Sequence, residues 1–246
     1  MEITREIAIK VRDTVDCGLT SGMGKPIPGE MCVEAAVCFA MGLPHSDEPT
    51  CVSKAFRSLK IALNDGPWSD NKARAKGLRR LAIVQLGSSE IDDNEFARRV
   101  VEMTIRKIIP IAMRAAALIH PMPEHKLALE NSALLCEKEG TKSAAESAKS
   151  AAESAAWSAE SAKSAAWSAA WSAAWSAKYA AWSAWSAESA KSAAESAKSA
   201  AWSAAWSAES AKSAAKDQVL ADFAEAVVQI AIEMKMPGCQ FLDLVE

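Results

Sequence analysis

The chain begins with a succession of helical patterns separated by glycine and proline. Between these breaks, apolar residues recur at intervals of three and four, and the strict alternation of apolar and polar residues that is typical of strands is almost absent. The pattern therefore predicts an all-α fold. The helices predicted in the first 140 residues span 2–16, 29–41, 48–63, 70–86, 92–119 and 124–138.

The helix predicted at 92–119 carries the clearest signals. Its first residues, 92–94, are Asp-Asp-Asn, which can cap the N-terminus and place acidic charge at the positive end of the helix dipole. An apolar stripe follows at steps of four, four, three and four residues, as expected for one helix face. Because Pro110 lacks a backbone N–H, we expect it to kink or divide this helix. The stripe consists of Ala97, Val101, Ile105, Ile108 and Ala112.

Residues 143–213 repeat the unit x-Ser-Ala, in which x is Glu, Lys or Trp and an extra Ala is inserted at intervals. If Tyr179 is counted as a substituted Ser, the Ser positions advance in twenty steps of 3.5 residues on average, which is the spacing of a heptad. A longer motif that begins at Trp157, Trp185 and Trp206 recurs at offsets of 28 and 21 residues, both multiples of seven. This spacing keeps each side chain in helical phase and predicts a helical repeat.

The x position of the repeat holds either charge or tryptophan. Glu precedes Lys by three residues at five places, of which Glu146 and Lys149 are the first, and this order favours a helix. Eight tryptophans at about 200 Å² each would expose roughly 1,600 Å² of mostly apolar surface, several times what a soluble monomer tolerates. We therefore expect them to be covered by the N-terminal helices, a second copy of the chain or another partner. They are Trp157, Trp167, Trp171, Trp175, Trp182, Trp185, Trp202 and Trp206.

The Ala and Ser stripes have little bulk, so another helix can approach them closely. A single helix over 143–216 would be about 110 Å long, and we expect the repeat instead to fold back into a bundle, with Lys178-Tyr179 as the candidate reversal. The C-terminal segment predicts one more amphipathic helix, ending at Pro237-Gly238. The predicted organisation is an N-terminal helical domain at 1–140, repeat helices at 141–216, and a C-terminal helix and tail at 217–246.

The charge distribution narrows the classes of partner. Residues 1–142 carry 20 basic and 19 acidic side chains, and residues 217–246 carry a charge of −5, against a net charge of −3 for the whole chain. No part has the basic excess of a domain that binds duplex nucleic acid. The first residues lack the layout of a signal peptide, and Pro110 and Arg114 break the longest apolar stretch. We therefore expect a cytoplasmic protein, in the bacterial host if it is phage-encoded, with no membrane association and with reduced cysteines.

Cys32, Cys38, His45 and Cys51 form one group of candidate chemistry. A thiol near a helix N-terminus can have a lowered pKa, and Cys32 with His45 could act as nucleophile and base. The alternative, which the lack of known cysteine-enzyme signatures favours, is a set of small buried thiols in a helical core. Spacings of six, seven and six residues fit no compact zinc site. The sequence thus predicts no catalytic residue, metal or cofactor.

A basic cluster on the helix predicted at 70–86 is the second candidate. It could grip a phosphate or an acidic partner, or it could form a solvated helix face, which we favour. The tryptophans leave a similar choice, since they could stack on a nucleobase, receive a partner's side chains or fill the gap to the N-terminal helices, and we favour the last of these. His120 and His125 flank a proline-rich turn, and we expect them to cap or pack. The cluster consists of Lys72, Arg74, Lys76, Arg79 and Arg80.

Several features from about Ala97 onward occur together in a known group. Residues 116–121 end a helix with Ala-Ala-Leu-Ile-His-Pro, a short acidic helix and a long Ala-rich run follow, and residues 237–242 close the chain with Pro-Gly-Cys-Gln-Phe-Leu. In these features the chain resembles the bacterial and phage immunity proteins of the Imm-five-like group, over about three-fifths of its length. The first 96 residues resemble uncharacterised phage proteins. The resemblance implies an all-α protein that neutralises something by binding, and it supplies no catalytic residues.

The sequence leads to three functional hypotheses. The first is a non-enzymatic binding protein, of the phage or bacterial immunity or counter-defence type, that engages and neutralises a partner macromolecule. The second is a sequesterer that holds a nucleotide-type signalling ligand between tryptophan faces and the basic cluster. The third is a cysteine-dependent enzyme that uses Cys32. A homo-oligomer would be a further way to cover the tryptophans.

Overall fold

A computed structural model describes residues 3–159, Trp175 and residues 213–246, and within these residues it contains helices and no strand, which confirms the all-α class. The predicted reversal at Lys178-Tyr179 and the fold-back of the repeat lie outside the described residues. No helix in the described ranges is both long and apolar enough to cross a membrane. The α-helices are α1 (Arg5–Asp16), α2 (Val33–Ala40), α3 (Lys54–Asn64), α4 (Asn71–Val84), α5 (Asp93–Met103), α6 (Ile109–Ile119), α7 (Pro123–Glu139), α8 (Lys142–Ala159) and α9 (Ser213–Glu233).

Side-chain caps determine where the early helices begin. Ser53 Oγ accepts a hydrogen bond from the Phe56 amide at 3.1 Å, and this cap starts α3. Asp70 Oδ1 accepts from two amides of the first turn of α4 at 2.8 Å. The helices predicted to start at 29 and 48 therefore start several residues later, because the capping side chain and not the apolar pattern fixes the first turn.

The chain forms two compact units. Unit 1 comprises Met1–Phe96 and Leu220–Glu246, and unit 2 comprises Ala97–Val219. These limits differ from the predicted domain boundaries at 140 and 216. The reason is packing: α6 and α7 bury their apolar faces on each other and on α8, whereas the C-terminal 3₁₀ helix Pro237–Leu244 packs on α1 and α4.

The core of unit 1 is built around α2. Seven of the eight residues of α2 are buried, and the helix contacts α1, α3 and α4. Phe56 stacks on Phe96 with ring centroids 4.9 Å apart. Trp68 lies against Gly77 of α4, where a Cβ would come within 2.3 Å of the indole, and its Nε1 donates to the Leu63 carbonyl at 2.8 Å. Large side chains of different shapes thus fill this core.

A π turn at Thr104–Ile108 divides the helix that the sequence predicts at 92–119. Pro110 follows at the start of α6, and its missing N–H cannot donate to the carbonyl four residues earlier, so a wider turn is accommodated there. This confirms that Pro110 divides the helix. The Arg106 side chain in the π turn donates to the carbonyls of residues 137–139 at 2.8–3.0 Å, and so caps the C-terminus of α7.

Helices α7 and α8 form a helical hairpin with a two-residue turn. Gly140 has a left-handed backbone, with φ of 63°, and its amide donates to the Cys136 carbonyl at 3.0 Å. Thr141 Oγ1 then accepts from the Ala144 amide at 3.2 Å and caps α8. A Cβ at Gly140 would lie 2.5 Å from Arg106 Nε. Both the backbone conformation and this close approach require glycine.

Candidate functional site

The described part of the repeat, α8, buries its alanines in unit 2. Helix α8 packs mainly on α7, and Cys136 Sγ of α7 lies 3.5 Å from the Ala144 carbonyl. A bulkier residue on this face of α8 would obstruct so close an approach of the two helices. The predicted helix is thereby confirmed for residues 143–159, and close packing is confirmed for its alanine face. The buried alanines are Ala144, Ala145, Ala148, Ala152, Ala155 and Ala156.

Four of the five serines of α8 are exposed, and the fifth, Ser158, is partly buried beside the His120 ring. The sequence predicts that another helix can approach the Ser stripe as well as the Ala stripe, and in α8 the described packing is mainly on the Ala stripe. Serine hydroxyls keep their hydrogen bonds to water when exposed, or return to the helix backbone, as Ser150 does to the Glu146 carbonyl at 3.1 Å. The exposed serines are Ser143, Ser147, Ser150 and Ser154.

The x positions of α8 are half-exposed. The side chains of Lys142 and Glu146 are 41% and 57% exposed, and those of Lys149 and Glu153 are 36% and 37% exposed. Their ion pairs join Lys142 to Glu146 at 3.5 Å and Lys149 to Glu153 at 3.7 Å. The pairing therefore runs from Lys to the Glu four residues later, whereas the sequence suggested Glu146 with Lys149.

The tryptophans occupy the same x positions. Trp175 is 43% exposed, within the range of the charged x residues of α8. Trp157 belongs to α8, at the x position that follows Glu153. The remaining tryptophans of the predicted site lie outside the described residues: Trp167, Trp171, Trp182, Trp185, Trp202 and Trp206.

His120 joins α8 to the turn between α6 and α7. Its ring is buried, Nδ1 accepts from the Met122 amide at 3.2 Å, and Nε2 lies 3.0 Å from the Ala155 carbonyl. Because Nδ1 is an acceptor, the proton is on Nε2 and is donated to that carbonyl. The prediction that His120 caps or packs is confirmed, and His125 stands beside it with ring centroids 5.0 Å apart.

In the basic cluster, Arg74 forms its hydrogen bonds inside unit 1. It is buried, and its guanidinium donates to the carbonyls of Leu19 and Asn64 at 3.1 and 2.7 Å, and to Asn71 Oδ1 at 2.6 Å. These bonds tie the loop before α2 and the end of α3 to α4. Arg74 is therefore a structural residue and does not face a ligand.

The other members of the cluster do not converge either. Arg79 forms a bidentate pair with Asp16, and Arg80 pairs with Glu225. Lys72 and Lys76 are exposed. The structure thus brings no anion site together from these residues, and the alternative of a solvated and structural helix face fits their positions.

The thiols of Cys32, Cys38 and Cys51 are buried, as the favoured interpretation predicts. Cys32 is the N-cap of α2 and accepts from the Ala35 amide at 3.3 Å, but burial raises the pKa of its thiol despite that hydrogen bond. Burial also raises the pKa of Cys38 to about 11 and raises that of Cys51. His45 Nε2 is bonded to the Gly24 carbonyl at 3.1 Å. These thiols stay protonated at neutral pH and are poor nucleophiles.

A buried ion pair beside these thiols was not foreseen. Glu34 of α2 and Lys60 of α3 are both fully buried, with Oε1 and Nζ 3.1 Å apart, and neither group makes a hydrogen bond of favourable geometry. Burial raises the pKa of Glu34 and lowers the pKa of Lys60, so desolvation favours the neutral form of each. Within the described ranges, no group of three or more His, Cys, Asp or Glu residues could hold a metal.

The sequence contains a signal for this pair. Lys60 shares a helix face with Phe56, Leu59 and Leu63, at the spacing of a core stripe, and Glu34 interrupts an apolar run. Charged residues at core positions indicate either a buried pair or an error in the predicted face. Only the packing of α2 on α3 shows that the two charges meet.

Comparison with known families, curated proteins and solved structures gives no match to this chain. The resemblance to immunity proteins therefore stays a prediction. The segment that carries it begins at Ala97, which is also where unit 2 begins.

Proposed function

We propose that the protein is a non-enzymatic binding protein that engages a partner protein through the tryptophan-bearing face of its repeat. One observation carries this proposal: along α8 the alanine face is buried while the charged x residues remain 36–57% exposed, and Trp175 lies within that range at 43%. Tryptophan replaces charge at these positions without a change of heptad phase. A helix of this period places its x positions on a different face from its alanine seam.

The order of residues along the x positions resembles the anatomy of an interface. Five tryptophans occupy the central stretch 167–185, and Glu-Lys pairs lie on both sides, at 160–163 and 188–191. Protein interfaces have an aromatic centre and a polar rim, and tryptophan is among the residues that contribute most to binding energy. A partner protein with an elongated apolar groove would cover such a row of indoles.

The immunity or counter-defence role is part of this proposal and rests on the sequence resemblance. Such a role requires tight binding and no chemistry, which fits buried, protonated thiols better than it fits a cysteine enzyme. The nucleotide sequesterer needs basic groups free to meet phosphate. Arg74, Arg79 and Arg80 are held by groups within unit 1, so no contact in the structure favours it.

The experiment uses the full chain in its natural host. Partners are captured by the wild type, identified, purified and titrated against Trp171→Glu/Trp175→Glu, which places a residue native to other x positions at two central ones. Each lost anchor should weaken binding by roughly thirtyfold. The control is Glu146→Ala/Glu153→Ala, which should change affinity less than about threefold.

Circular dichroism must show equal helicity for the two variants. Unchanged affinity of the tryptophan variant would contradict the proposal, as would an equal loss in the control. A capture in which the partner is a second copy of the chain would assign the face to self-association instead.

A further inference from the structure

We infer that unit 1 binds a small aliphatic ammonium compound in a surface cavity of about 380 Å³. The lining residues of the cavity all belong to unit 1, and the inference does not depend on the function proposed above. Its walls come from four stretches of the chain, represented by Ile3, Thr50, Glu90 and Gln240. Its volume is at the lower end of the range for small-molecule sites, which suits a ligand of about six to fifteen heavy atoms.

Unused hydrogen-bonding groups converge on this cavity. Thr50, Ser89, Glu90 and Gln240 line it, and their side chains make no hydrogen bond or ion pair with other residues in the described ranges. All four residues are exposed, so a ligand that binds them replaces hydrogen bonds to water and breaks none within the protein. The two hydroxyls, one carboxylate and one carboxamide all offer acceptor oxygens.

The walls are held in place before any ligand arrives. The Ser89 amide donates to the Cys51 carbonyl at 3.1 Å, and the buried Ser88 hydroxyl accepts from the Ser53 amide at 3.1 Å. Gly87 approaches Pro237 so closely that a Cβ there would lie 3.0 Å from the proline ring. These contacts tie three of the four stretches together, which reduces the ordering cost of binding.

The chemistry of the lining selects a cation. Glu90 is the charged residue among the lining side chains, and an ionised carboxylate only accepts hydrogen bonds. An ammonium group supplies up to three donors and the complementary charge, and it can share them among Glu90, Ser89 and Gln240. Ile3 and Pro237 offer apolar surface for the aliphatic part. An anionic ligand would meet the carboxylate with no basic side chain in the lining to offset it.

The test is a titration of the full chain followed by amide chemical shifts in two-dimensional NMR. Putrescine is the probe, and 1,4-butanediol, of the same length but with hydroxyls in place of ammonium groups, is the matched neutral control. We expect putrescine to shift the Ser89 and Gln240 amides with a dissociation constant near the millimolar range, and the diol to bind at least about tenfold more weakly.

Two variants test whether the Glu90 carboxylate is the charge that binds the ammonium group. Glu90→Gln keeps the shape of an exposed side chain and should weaken putrescine binding roughly tenfold, while Glu124→Gln, an exposed change in unit 2, should leave it unchanged. Nα-acetyl-lysine amide distinguishes the source of the ammonium: tighter binding than putrescine would assign the site to a protein lysine. The inference fails if neither amine shifts these amides up to about 10 mM, if the diol binds equally, or if Glu90→Gln has no effect.

Discussion

Helices α3 and α8 have the same period but bury opposite kinds of side chain. Helix α3 of unit 1 contributes Phe56, Leu59 and Leu63 to its core, together with the charged Lys60. Helix α8 of unit 2 contributes alanine at every buried position that the structure describes. One core depends on the fit of large side chains and the other on the close approach of backbones, so different substitutions should damage each.

The two helices also differ in the side-chain entropy that is lost, and in the apolar area that is buried, when each face packs. An alanine loses no rotamer freedom when it is buried, but it removes little apolar surface from water. Large apolar residues remove more surface from water when they are buried, and they lose more rotamer freedom. The core of unit 1 also contains the charged groups of Glu34 and Lys60, which burial removes from water. A buried ion pair often stabilises a protein no more than apolar residues of the same size would. The two units should therefore respond differently to changes at buried positions.

The largest effect is expected at the buried pair. Lys60→Met leaves Glu34 without its partner and should lower the free energy of unfolding of unit 1 by about 3–5 kcal/mol. Glu34→Leu/Lys60→Met removes both charges and should restore at least wild-type stability. Hydrogen exchange of the α2 and α3 amides measures the opening free energy of this unit. A double variant as unstable as the single one would show that the pair stabilises the fold.

The same pair predicts opposite pH dependences for its two single variants. In Lys60→Met, burial keeps the pKa of Glu34 above its ordinary value of 4.5. The folded state then holds a proton that the unfolded chain releases, so the free energy of unfolding falls as the pH rises above 4.5. In Glu34→Gln, burial keeps the pKa of Lys60 below 10.5, so the unfolded chain binds the extra proton and stability rises with pH up to 10.5.

Each slope can reach about 1.4 kcal/mol per pH unit for one proton. Urea unfolding between about pH 5 and pH 9 measures both slopes, and the wild type, in which the two effects oppose each other, should be flatter than either variant. Slopes of the same sign in the two variants would mean that groups other than this pair control the pH dependence.

The helices could be predicted from the sequence because their signals are local. Period, caps and proline act within one or two turns, which is why Pro110 divides its helix as expected and α7 ends at Gly140. The apolar face of α9 likewise predicts its burial, with Leu220, Phe223 and Val227 all inside. The all-α class follows from these elements alone.

The features that the sequence did not predict concern interactions between distant residues. The unit boundary at Ala97 depends on which helices bury their faces together, and no local signal marks it. Arg74 was read as part of an exposed basic cluster because its partners, Leu19 and Asn64, are brought near only by the fold. Lys60 meets Glu34 for the same reason. Candidate sites defined by charge alone were therefore the least predictable part of the chain.

The smallest effect tests the alanine core itself, at two neighbouring positions of α8. Ala148 is fully buried and Ser147 is exposed. Ala148→Leu inserts bulk between closely packed helices and should lower the free energy of unfolding of unit 2 by about 1–3 kcal/mol. Ser147→Leu adds the same side chain to the solvent face and should change it by less than about 0.5 kcal/mol. Hydrogen exchange of the α7 and α8 amides compares the two, and equal effects would mean that the alanine face of α8 is not closely packed.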